Sequence, residues 1–128
     1  MNIKVEVSVG EFLDKLTILE IKSSRIQVAN KLKSINHELD ILRQAWETSP
    51  FSKHELTEQL TRLKKVNEML WDIEDNIRDK ERHKTFDQEF IELARSVYIN
   101  NDERATIKRE INLKVGSDLI EEKSYAQY

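Results

Sequence analysis

The groups in this chain that could do chemistry are charged side chains at helical spacing. Asp14, Lys15, Lys22 and Arg25 fall in one apolar-patterned stretch, Glu74 and Arg78 in a second, Arg95 in a third, and Arg104 and Lys108 in a fourth. Several cations on facing helices can hold a carboxylate or a phosphate, and arginine adds a planar fork that grips either group through two hydrogen bonds. With 35% of its residues charged, the chain also places such groups on solvated faces that bind nothing. Which reading holds depends on whether the fold brings these side chains to one end of one bundle.

Other chemistries lack their parts. His37, His54 and His83 have no Glu three residues before them and no His four residues away, so neither the Glu-x-x-His pair of di-iron bundles nor a His-x-x-x-His zinc pair exists, and no metal site is expected. Gly10 and Gly116, the only glycines, stand too far apart to build a phosphate loop or a dinucleotide fingerprint, and no cofactor is expected. The absence of cysteine removes disulfides and thiolate chemistry and suits a reducing cytosol. A net charge of -3 provides no positive field for nucleic acid. The basic clusters Arg62-Leu63-Lys64-Lys65 and Arg78 to Lys84 are interleaved with acid and lack aromatic platforms, so no nucleic acid is expected as partner. No apolar run approaches the roughly 20 residues that span a bilayer. Charge interrupts the opening residues as it does not in a secretory leader, so a soluble, unprocessed, cytoplasmic protein without a membrane partner is expected.

The elements that must position the charges are helices. Two glycines and one proline in 128 residues leave little from which to make the tight turns of a β-rich fold, and the length suits one domain over 1–128. Ile3, Val5, Val7 and Val9 alternate with Lys4, Glu6 and Ser8, which predicts a short β-strand or an extended arm over 1–8. Such an arm needs the C-terminal tail, its own copy in another subunit, or a helix surface to lie on. Ser8 with Glu11 reads as a capping box opening helix 1, 9–47, on a seam of Ile18, Ile21, Val28, Leu32, Ile35, Leu39, Leu42 and Trp46 in which Arg25 fills the one gap. A second apolar row, Phe12, Leu16, Leu19 and Ile26, exists only in its first half, which can therefore be covered on two sides. Ser52 with Glu55 opens helix 2, 53–83, on Leu56, Leu60, Leu63, Asn67, Leu70, Glu74 and Ile77. Thr85 with Gln88 caps helix 3, 86–99; Asn100 to Glu103 supplies a turn and a cap for helix 4, 102–115; Gly116 stops it ahead of a polar tail, 117–128.

The expected fold is all-α: a long antiparallel hairpin of helices 1 and 2 with the two shorter helices packed on one end. Facing residues of such a hairpin have numbers adding to about 100, which sets Arg25 against Glu74. That pair is either an ion pair that specifies register or part of a ligand pocket. Two helices of about 21 Å cover only one end of so long a hairpin. Ile41, Trp46 and Trp71 on the projecting arm would then be buried best by a second copy, so a homodimer is expected.

The stretch Gly10 to Lys22 (GEFLDKLTILEIK), the stretch Phe90 to Tyr98 followed by Asn101-Asp102 and Lys108 to Asn112, and the ending Glu121 to Tyr125 resemble a family of small bacterial and phage proteins of unknown function. The resemblance spans almost the whole chain and implies no activity. It points to the covered end of the bundle rather than to the arm between Val28 and Leu63. Helical chorismate mutases are similar only in shape, because the basic positions of helix 1 do not fall at their spacing. The leading expectation is a non-catalytic helical interaction or scaffold protein forming a homo-oligomer. The alternative is a bundle that binds a small anion, a carboxylate or phosphate compound, either holding it or acting on it as an enzyme. In either case the partner is a second copy, a small anion or another protein.

Overall fold

The computed structural model describes residues 1–128 as an all-helical chain with no strand. Helix α1 spans Val9–Arg25, α2 Ala29–Glu47, α3 Thr57–Arg82 and α4 Gln88–Val115, with a 3-10 turn at Pro50–Lys53. Helix α1 starts where the capping box places it, since the Ser8 hydroxyl accepts from the Glu11 amide at 3.1 Å.

The expected single helix over 9–47 is corrected: the chain reverses at Ile26–Val28. Ile26 and Val28 adopt extended backbone, with φ/ψ of -83/132° and -70/118°, the basin that β-branched side chains favour. Helix α2 then returns antiparallel along α1. Lys15 meets Glu38 at 3.3 Å, Ser23 donates to Asn36 at 2.7 Å, and the Phe12 and Trp46 rings stack at 6.1 Å. Folding back buries Leu39 and seats Ile35, Leu42 and Trp46 against the second apolar row of α1. An extended rod would have left that row half wet.

Helix α3 begins at Thr57 rather than Lys53. Glu55 accepts from the Thr57 amide at 3.0 Å, while the Ser52 hydroxyl donates to the Ser49 carbonyl at 2.9 Å instead of capping a helix. The expected helices 3 and 4 are one helix of 28 residues, about 42 Å long. Its cap is Asp87, which accepts from the Phe90 amide at 3.0 Å, rather than Thr85. The asparagines expected to make a turn spend their side chains within the helix: Asn100 donates to the Ser96 carbonyl at 2.8 Å, and Asn101 accepts from Arg104 at 2.9 Å. Gly116, at φ 72°, ends α4 as expected, and the Ser117 amide closes back on the Asn112 carbonyl at 2.9 Å.

The long antiparallel hairpin is therefore α3–α4, with Arg62 clamped to Glu110 at 2.7 Å and Arg104 reaching Asn67, and not the pair expected. The shorter α1–α2 hairpin packs on its base. Leu13, Leu63, Ile107 and Ile111 are fully enclosed where α1, α3 and α4 meet. Past Ile73 on α3 and before Ile107 on α4 no side chain is buried, so the tip carrying Phe86 and Phe90 projects. The second apolar row of α1 does what its position implied, because α1 touches all three other helices. The tail folds back along α4 through Lys108–Glu121 at 3.2 Å and Arg109–Glu122 at 2.7 Å. Residues 1–7 are exposed and belong to no helix. No helix is long and apolar enough to cross a membrane.

Candidate functional site

A polar cluster sits inside the three-helix junction. Asp14, 6% exposed, accepts from the Asn67 amide group at 2.8 Å, and the same group reaches the Thr17 hydroxyl at 3.2 Å. The Asn67 carbonyl oxygen accepts from Arg104 at 3.3 Å. On the other side of Asp14 stands Lys108, with Nζ 3.8 Å from its carboxylate and hydrogen-bonded to Glu11 and Glu121. A carboxylate this buried needs such partners to offset the loss of its hydration.

Lys108 shows how the balance falls. Burial by itself lowers its ammonium, but the hydrogen bond to Glu11, the charges of Asp14 and Glu11, and the hydrogen bond to Glu121 together hold it above the ordinary lysine value of 10.5. A raised folded value means that this contribution to stability is complete below pH 10.5 and is lost as pH climbs through the folded value. Urea melts at rising alkaline pH are expected to show this loss in the wild type and to show a shallower slope in Lys108→Met.

On its Asn67 side the cluster opens to a cleft. Beside Asn67 and Arg104, this cleft of about 330 Å³ runs between α1, α3 and α4. Ile18, Ile21, Leu70 and Trp71 form its apolar wall, and Glu74, Asp75 and Arg78 its rim. Arg25 lies over the Trp71 ring, its guanidinium 5.7 Å from the ring centre. The arginines at the cleft differ in one respect. Arg25 pairs with Asp72 at 2.6 Å and with Glu68 at 3.8 Å, and Arg78 pairs with Glu74 at 2.7 Å. Arg104 has no carboxylate partner; its guanidinium touches only the amide oxygens of Asn67 and Asn101.

The expected Arg25–Glu74 pair does not form, because the reversal at Ile26–Val28 lets α1 run in the same direction as α3, so that Asp14 meets Asn67 while Arg25 meets Asp72. Of the charged set read from sequence, Asp14, Arg104 and Lys108 converge at the junction, and Glu74 and Arg78 share the cleft with Arg104. Lys15 pairs with Glu38 on the surface, Lys22 borders a shallow hollow against α2, and Arg95 is exposed on the projecting half of α4. Three residues escaped that reading. Asn67 had a signal, a polar residue among Leu63, Val66 and Leu70 on a core stripe. Trp71 and Asn112 had none, since their places depend on which helices meet.

The chain matches a family of unknown function, DUF6165, over residues 3–128. It belongs to that family. No curated protein and no solved structure matches it. The DUF6165 match takes in α1, both helices of the long hairpin and the tail, so the junction and its cleft lie inside the family's span. Membership in DUF6165 adds no reaction and no ligand to what the geometry says.

Proposed function

We propose that this chain binds a small molecule carrying a carboxylate or phosphate beside an apolar body, and that the cleft between α1, α3 and α4 is where it binds. The observation that carries this reading is Arg104, a half-buried guanidinium on the cleft wall without a carboxylate partner. Such a cation retains unused donors in a fixed fork, and Asn67 and Asn101 hold it in place. Leu70 and the Trp71 ring, over which the Arg25 guanidinium lies, offer the apolar body a wall. Asp75 on the rim makes no ion pair and favours ligands that also carry an amine. No serine, threonine or histidine lines the cleft, and what it offers a ligand is charge and an apolar wall.

A thermal-shift series tests it with aromatic and branched amino acids, the matching acids without the amine, phosphorylated sugars and nucleotides. A concentration-dependent rise in melting temperature is expected for at least one class, and Arg104→Met is expected to abolish it while the protein stays folded. A flat response to every class, or a rise that survives in Arg104→Met, overturns the assignment.

A further inference from the structure

The N-terminal arm is the one element of this chain without a mate. Residues 1–7 make no hydrogen bond to the rest of the molecule and belong to no helix, and they alternate in character. Ile3, Val5 and Val7 are 93%, 74% and 46% exposed on one side, with Lys4 and Glu6 on the other. From the arrangement of Ile3-Lys4-Val5-Glu6-Val7 we infer that the arm pairs with the same arm of a second copy, as a two-stranded antiparallel ribbon on a two-fold axis through Val5.

The argument is one of self-complementarity. In an antiparallel pair centred on Val5, Ile3 faces Val7, Val5 faces Val5 and Lys4 faces Glu6, so each polar cross-strand pair joins opposite charges and each apolar one joins β-branched side chains. A shift of one residue either way loses this match, because side chains alternate faces. A closed two-fold contact uses the same surface on both molecules, which is what a self-complementary segment supplies.

A ribbon of two short strands is marginal alone and needs a surface beneath it. The structure has one. An apolar groove of about 140 Å³ lies at the root of the arm, where Val7 and Val9 meet Phe12, Trp46 and Phe51. Val7 borders that groove, and the residue opposite Val7 in the ribbon is Ile3 of the second copy, which this register places over the groove. Ser49 on the groove wall has a buried hydroxyl without a hydrogen-bond partner in the single chain, next to the place where the incoming backbone would pass. The arm lies outside the cleft, so this pairing stands independently of any ligand there.

Sedimentation equilibrium of the full chain is expected to give twice the chain mass. Val5→Asp, which sets two carboxylates against each other on the axis, is expected to give a monomer with unchanged helical circular dichroism. Lys4→Glu and Glu6→Lys are each expected to raise the dimer dissociation constant about tenfold, and the double variant to restore it. Because the chain has no cysteine, Val5→Cys reports register directly: it should crosslink to its own copy on oxidation, whereas Lys4→Cys alone should not. A wild-type monomer at hundreds of micromolar, a dimer that persists in Val5→Asp, or a double charge reversal that fails to recover association overturns the inference.

Discussion

Gly10→Ala is expected to destabilise the protein by about 2 kcal/mol, although alanine is the better helix former by about 1 kcal/mol. The reason is the contact between α1 and α4. A Cβ at position 10 would lie 2.5 Å from the Lys108 carbonyl oxygen and 3.1 Å from the Asn112 side-chain oxygen. The first of these neighbours is backbone and cannot rotate away, so the helices must separate. Separation also stretches the 2.6 Å hydrogen bond from the Gly10 amide to Asn112, a side chain only 2% exposed. It draws Lys108 off Asp14 as well. Thermal unfolding followed by circular dichroism should record a drop of roughly 6–8 °C for a domain of this size. An unchanged or higher melting temperature would mean that α1 and α4 do not meet this closely.

Asn67→Leu is expected to cost about 3 kcal/mol, more than a neutral core polar residue, because it removes the only uncharged donor to a buried carboxylate. Asp14 then retains Lys108 at 3.8 Å as its one ionic partner, Thr17 loses a neighbour, and Arg104 loses one of its two anchors. Asp14→Leu should be of similar severity for the converse reason, leaving the Asn67 amide short of an acceptor. The combined Asp14→Leu, Asn67→Leu variant should be less destabilised than the sum of the two singles, since neither group is then left buried alone. Urea unfolding of the four proteins measures this coupling, and strict additivity would show that the two side chains do not interact. The same variant carries a functional reading. If Asn67 holds the Arg104 fork, ligand-induced stabilisation should weaken in Asn67→Leu even at temperatures where the protein is fully folded.

The places where the pattern misled share a cause. The break at Ile26–Val28 contains neither glycine nor proline, and the apolar stripe resumes beyond it after the single interruption at Arg25, because two helices folded face to face both need the stripe that one long helix would carry. The Asn100 to Glu103 stretch has the composition of a turn but lies within α4, where α3 lies alongside and the asparagine side chains bond to their own helix. Arg25 was marked as unusual by its place in the seam, and so it is, but its partners Asp72 and Glu68 follow from helix direction and not from spacing.

The sequence alone settled the secondary-structure class, the caps at Ser8 and Gly116 and the apolar faces of the helices. All of these depend on neighbours within a few residues, where backbone sterics and side-chain period act. Only the tertiary structure decided that α1 folds back on α2, that α3 and α4 form the long hairpin, and that Asp14, Asn67, Arg104 and Lys108 meet. Those outcomes turn on which apolar faces bury each other best, and because that burial is non-directional, local pattern leaves its partners open.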